Sequence, residues 1–164
     1  MSTKDYSNAQ ERMVADFLGW SRVPGSGAAT CFAGDVVSDK FLGECKTHET
    51  PGSKIVFRRD VWYKICEESM VSGRMPVLIA DDGTQKASHT YCIVRMSVDC
   101  GFLPESEFSI LPYDAKFRKN LNFNHDDLHL KFKKTIGLMY RIRWSDSDIL
   151  LMTLDTFDSY QKFA

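Results

Sequence analysis

The sequence predicts an α/β chain in which helices flank one central mixed β-sheet, with a β-rich C-terminal extension. Two observations predict it. Apolar residues recur at helical spacing in two stretches, 7–18 and 58–72, with short β-rich runs between and after them. Leu138 to Trp144 then alternates apolar and polar residues ahead of a second apolar run, Ile149 to Leu154. With 164 residues, 43% of them hydrophobic, the chain can build one ordinary core, and a second full domain is not expected. The expectation is a single domain over 1–164, with a core to about residue 98 and an extension over about 99–164.

The elements follow in order. Ser7-Asn8-Ala9-Gln10 reads as a capping box opening a helix that Gly19 ends, with Ala9, Met13, Val14, Phe17 and Leu18 as its apolar face. Glu11 falls at the edge of that arc, either exposed or on the seam between helix and sheet. In the loop from Arg22 to Ala29, two glycines around Ser26 let backbone amides approach a phosphate; a flexible connection is the plain alternative. Cys31 to Val37 and Phe41 to Thr47 read as strands joined by Ser38-Asp39-Lys40. Ile55 to Phe57 is a short strand or a helix lead-in.

Arg58 to Ser72 is helical by the spacing of Val61, Trp62, Ile65 and Met70, and Gly73 closes it. Its basic first turn opposes the helix dipole, which points to a ligand such as DNA for Arg58 or Arg59, or else to a solvent-facing end. Met75 to Ala80 and Tyr91 to Val98 read as further strands of the same sheet. Glu105 to Phe117, with two prolines nearby, reads as irregular surface chain. Leu138 to Trp144 and Ile149 to Leu154 form a hairpin around a four-residue turn, Ser145 to Asp148.

Chemistry concentrates in Asp35 and in Glu44-Cys45-Lys46. Side chains alternate along a strand, so Glu44 and Lys46 share a face while Cys45 points the other way. If the two runs are neighbours, Asp35 converges on Glu44, and paired carboxylates repel unless a positive charge lies between them. A divalent cation meets that need, Lys46 adds a fixed charge, and the set suits activation of water against a phosphodiester.

Asp35, Glu44 and Lys46 resemble the D…(D/E)-x-K signature of the PD-(D/E)xK nuclease superfamily, and the segment Arg22 to Ala28 resembles a loop of archaeal-type Holliday junction resolvases and their phage relatives. The proline that often precedes the first Asp in that family is Gly34 here. The likeness covers roughly the first two-thirds of the chain. It implies a restriction-endonuclease-like core: helix, three-stranded meander, helix, strand. It also implies Mg²⁺ as cofactor with Mn²⁺ as substitute, held by Asp35, Glu44 and the main-chain carbonyl of Cys45. Glu11 would serve a second ion or a water, and Ser26 and Arg22 would contact a phosphate. The implied substrate is branched DNA, above all the four-way junction, cut by a homodimer. A less selective phage or repair nuclease and a non-catalytic DNA-binding protein of the same fold are the alternatives.

The net charge of −1 does not announce a nucleic-acid binder. From Lys116 to Arg143, however, eight basic residues, Lys131, Lys133 and Lys134 among them, stand against Asp126 and Asp127 alone, as either a phosphate-binding or a solvated face. Five cysteines with no Cys-x-x-Cys spacing read as reduced thiols of an intracellular, cytoplasmic protein; the resemblance to phage relatives implies a phage-encoded protein acting in the host cytoplasm as one setting. No signal peptide, membrane span or membrane partner is expected. His125 and His129 stand four apart, as zinc ligands on a helix can, but the Glu that a His-Glu-x-x-His protease needs is missing, and Asp126 or Asp127 reads as a helix or turn start.

Overall fold

The computed structural model describes residues 2–24, 34–96, 103–113, 119–133 and 135–164. Ser26, Lys134 and most of the glycine loop lie outside the described residues.

Helix α1 (Thr3–Leu18) starts earlier than the Ser7 capping box predicts. Ser2 is its N-cap, in a reciprocal capping box with Asp5, and Ser7 falls inside the helix. Gly19 ends it in the left-handed conformation, φ 69°. There follow β1 (Ser21–Arg22), β2 (Val36–Val37), β3 (Phe41–Lys46) and β4 (Ile55–Phe57). Helix α2 (Arg59–Ser72) is closed by left-handed Gly73. Strand β5 (Met75–Asp81) leads through a short 3₁₀ turn, Ala87–His89, into β6 (Thr90–Arg95).

The C-terminal third holds β7 (Ser109–Pro112), β8 (Leu121–Phe123), α3 (His125–Phe132), β9 (Leu138–Trp144), β10 (Ser147–Thr153) and α4 (Leu154–Tyr160). Two expectations are corrected here. The β9–β10 turn is two residues, Ser145-Asp146, because Trp144 pairs with Ser147 and Ser145 takes φ 59°. The stretch read as irregular contains β7, whose Pro112 is tolerated because β7 is an edge strand.

One mixed sheet runs β1-β2-β3-β5-β6-β10-β9-β7, and β4 and β8 form a separate two-stranded ribbon. The extension therefore continues the sheet: β10 pairs antiparallel with β6 from Ile149–Arg95 to Thr153–Tyr91. Strands β3 and β5 are parallel, joined by the crossover helix α2. Each face of the sheet carries its own apolar cluster. Val14 and Leu18 of α1 and Leu154 and Phe157 of α4 pack on the face of Cys45, Val77 and Cys92. Ile65 of α2, the β4–β8 ribbon and Leu128 and Phe132 of α3 pack on the face of Leu42, Leu78 and Ile93. The first face is keyed by aromatic rings: Phe157 meets Trp20 at 5.7 Å and Phe41 at 5.2 Å, and the Trp20 indole donates to Gln161. The described cysteines, 45, 66 and 92, are buried free thiols. Among the described residues no helix is long and apolar enough to cross a membrane.

Candidate active site

Backbone geometry brings Asp35 to Glu44. Val36 pairs with Gly43 in the antiparallel β2–β3 ladder, so the preceding residue, Asp35, stands opposite Glu44. The Asp35 amide donates to the Gly43 carbonyl (2.8 Å), and the Cys45 amide donates to Asp35 Oδ2 (2.9 Å). That carboxylate thus takes the place of a ladder carbonyl at the point where β2 begins. Gly34 makes the approach possible. Its φ is +70°, which proline cannot adopt, and a Cβ there would lie 2.9 Å from the Gly43 oxygen. This is the physical reason that glycine, and not proline, precedes Asp35.

Glu44 is buried and Lys46 is half-buried on the same face, with Lys46 Nζ 2.7 Å from Glu44 Oε1. The Cys45 side chain enters the opposite cluster, as alternation predicts, and burial pushes its thiol pKa up. Burial first, then the Glu44 charge, raises Asp35 to about 6, with Glu11 adding a smaller push; the Cys45 amide and Lys46 oppose the rise. Burial alone would lower Lys46, but the Glu44 charge and hydrogen bond and the Asp35 charge together hold it above the usual lysine value. Lys46 is therefore an ammonium at neutral pH.

Glu11 projects from α1 near enough for Asp35 to feel its charge, and is held by Arg22 of β1, whose Nη2 lies 2.9 Å from Glu11 Oε2 and 3.0 Å from Asn8 Oδ1. Gln10, fully buried, ties α1 to the end of β3 by donating to the Lys46 carbonyl (2.8 Å). Sequence reasoning missed Gln10; its position beside Glu11 was the available signal. Gln10 Oε1 and Arg22 Nε, both supporting this site, are two of four buried side-chain polar atoms lacking a partner among the described residues. Gln10 Oε1 is an acceptor and Arg22 Nε a donor, so bound water, and not a cation alone, is what would satisfy the two.

The basic residues divide. Helix α2 returns antiparallel to β3, so Arg58 and Arg59 at its start lie towards the sheet end where β3 finishes at Lys46. They line a hollow of about 410 Å³ with Asp60, Lys119 and Asn120; Asn120 accepts from the Arg59 amide, and Arg58 pairs with Asp60 at 2.6 Å. Lys131 instead sits over the rings of Tyr113 (4.7 Å) and Tyr140 (5.7 Å). Tyr140 is on β9, four strand spacings or roughly 19 Å from β3. Lys133, exposed, is the left-handed C-cap of α3. Lys131 and Lys133 are therefore not gathered around the carboxylates.

A second polar cluster has no counterpart in the sequence reading beyond His125. Asp82, His89 and His125 each bring a ligand-type atom within 4.8 Å of the others, a group able to hold a metal ion. No family model matches the chain, and neither the curated proteins nor the solved structures searched contain a match.

Proposed function

We propose that this chain is a metal-dependent DNA endonuclease whose reaction is carried by Asp35, Glu44 and Lys46, with Glu11 alongside. The observation that carries the reading is the convergence of Asp35 on Glu44 beside Lys46, with Asp35 raised to about 6 by burial and by that neighbour. A helix, an antiparallel β1-β2-β3 meander, a helix and a parallel strand in this order support it as fold-level analogy.

Mg²⁺, with Mn²⁺ as substitute, suits the oxygen donors of Asp35, Glu44 and the Cys45 carbonyl, and when bound supplies Lewis-acid polarisation of the phosphate and a more acidic water. The chain's own residues do the rest. The Cys45 amide fixes the Asp35 carboxylate. Lys46, a persistent ammonium, orients the attacking water through its N–H donors and offsets negative charge growing on the phosphate, which is a better role for it than general base. Arg22 restrains Glu11 at the margin of the site. By family likeness, cleavage leaves a 5′-phosphate and a 3′-hydroxyl.

The substrate we assign is branched DNA cut by a homodimer, since a two-fold dimer matches a two-fold junction; this rests on the likeness of the Arg22 to Ala28 loop. Arg58 and Arg59 supply the phosphate contacts favoured by position. The test is cleavage of a labelled four-way junction beside linear duplex and single strand, with Mg²⁺ or EDTA. Symmetric, metal-dependent nicking of the junction, abolished in Lys46→Ala, is expected. Equal cutting of all substrates keeps the nuclease and removes the junction assignment, and no cutting by folded protein leaves a DNA-binding protein.

A further inference from the structure

The β5–β6 connection carries polar chemistry that the proposed nuclease does not use. Asp82, just past β5, is buried; His89, in the 3₁₀ turn, and His125, the first residue of α3, are half-buried. His89 Nδ1 lies 2.7 Å from Asp82 Oδ2, and the Tyr91 hydroxyl is hydrogen-bonded to His125 Nδ1 at 3.2 Å. The two imidazoles stack face to face, centroids 3.6 Å apart and planes 7° from parallel. His89 thus faces Asp82 through Nδ1, while the Tyr91 contact on His125 Nδ1 leaves Nε2 to that ring. Thr84 also holds Asp82 Oδ1, donating from its hydroxyl (2.7 Å) and its amide (3.2 Å).

We propose that Asp82, His89 and His125 bind a transition-metal dication of the zinc class, cross-linking α3 to the β5–β6 connection. Two imidazoles and a carboxylate suit Zn²⁺, whereas Mg²⁺ prefers an all-oxygen shell. Uptake displaces the proton shared by His89 and Asp82, and the rings tilt from parallel towards a common point. Water completes the shell; His129, its ring 5.5 Å from that of His125, flanks the group.

The group comes from chain segments far apart in sequence, so an ion here fastens the C-terminal third to the sheet. It also lies near the nuclease residues without sharing one with them. Lys46 pairs with Ala80, and Ala80 with Tyr91, which puts Tyr91 two strand spacings, roughly 10 Å, from Lys46 on the same face. The site does not depend on the nuclease reading.

The full chain, stripped with chelator, is dialysed against micromolar Zn²⁺ in millimolar Mg²⁺, and bound metal is counted by mass spectrometry. One zinc per chain is expected, with Tm raised by several degrees. Asp35→Asn retains it, while His89→Gln with His125→Gln loses it and Asp82→Asn binds at least tenfold more weakly. Substoichiometric uptake by the wild type, undiminished uptake by the double variant, or loss in Asp35→Asn overturns the proposal. If the double variant does not fold, Co²⁺ in the wild type decides: strong visible absorbance of a low-coordinate ion supports the site, and the weak spectrum of aqueous Co²⁺ refutes it.

Discussion

Asp35→Asn should make the metal-free protein more stable while removing its activity. In the folded chain burial and Glu44 raise Asp35 from 3.8 to about 6. At about 1.4 kcal/mol for each tenfold change in proton affinity, ionising it in place costs about 3 kcal/mol. The folded state holds the proton more tightly than the unfolded chain. Stability is therefore fully present below the unfolded value and is lost as pH rises through about 6. Asparagine does not titrate, and its side-chain oxygen still accepts the Cys45 amide. The variant and wild type should thus melt together near pH 4 in EDTA. At pH 8 the variant should melt higher, by roughly 6–12 °C for about 3 kcal/mol in a chain of this length. Saturating Mg²⁺ should then raise the wild-type Tm and leave the variant unmoved. A Tm difference that does not change with pH, or a variant less stable at pH 8, would refute the argument that this carboxylate is held at a cost for the sake of a ligand.

Further outcomes follow from the same geometry. Lys46→Ala should lower the cleavage rate by about 10²-fold or more with DNA affinity changed only a few-fold, measured by single-turnover kinetics and filter binding. Gly34→Ala should destabilise by about 1–3 kcal/mol in urea melts, because φ +70° and the 2.9 Å approach to the Gly43 oxygen leave no room for a Cβ. Asp81→Ala should cost about 3 kcal/mol or more in the same assay, since it leaves the Thr47 hydroxyl and the Gly83 and Gln85 amides without their acceptor at a buried site. Arg58→Glu with Arg59→Glu should weaken DNA binding and flatten its salt dependence, with Tm little changed because both side chains border solvent.

What was legible in the sequence was local. Gly19 and Gly73 end helices in the left-handed conformation, and the runs read as strands at Phe41–Thr47 and Met75–Ala80 are β3 and β5 to within a residue. Glu44 and Lys46 share a face by alternation alone. Local rules also misled: Ser7 to Gln10 has the pattern of a capping box, yet Ser2 with Asp5 has it too, and the structure uses the earlier one. Helix α4 went unread because its run is short and polar at Asp155 and Asp158, although Thr153 caps it and Phe157 seals the Trp20–Phe41 cluster. The insertion of β10 between β6 and β9 and the pairing of β4 with β8 are long-range choices with no local signature. The Asp82–His89–His125 group depends on a further long-range choice, the docking of α3, so Asp82 and His89 went unread beside a His-x-x-x-His that looked incomplete.

The position of both polar clusters follows from the crossover. In a β3–α2–β5 unit the strands run the same way, so both end at one edge of the sheet and the helix begins there. Lys46 finishes β3, Asp81 finishes β5, and Arg58 and Arg59 open α2. Strand ends free backbone from the ladder and let short side chains take over its hydrogen bonds, as Asp81 does for Thr47, Gly83 and Gln85. Such an edge concentrates charge without interrupting either apolar cluster. The two clusters nevertheless differ in kind: Asp35 and Glu44 are a carboxylate pair held against mutual repulsion, whereas Asp82 already has His89 as its partner. Under the two proposals above, a hard cation would relieve the first and an ion that prefers nitrogen would replace a proton in the second. Donor chemistry, oxygen against nitrogen, is then what would sort two ions at one end of the sheet.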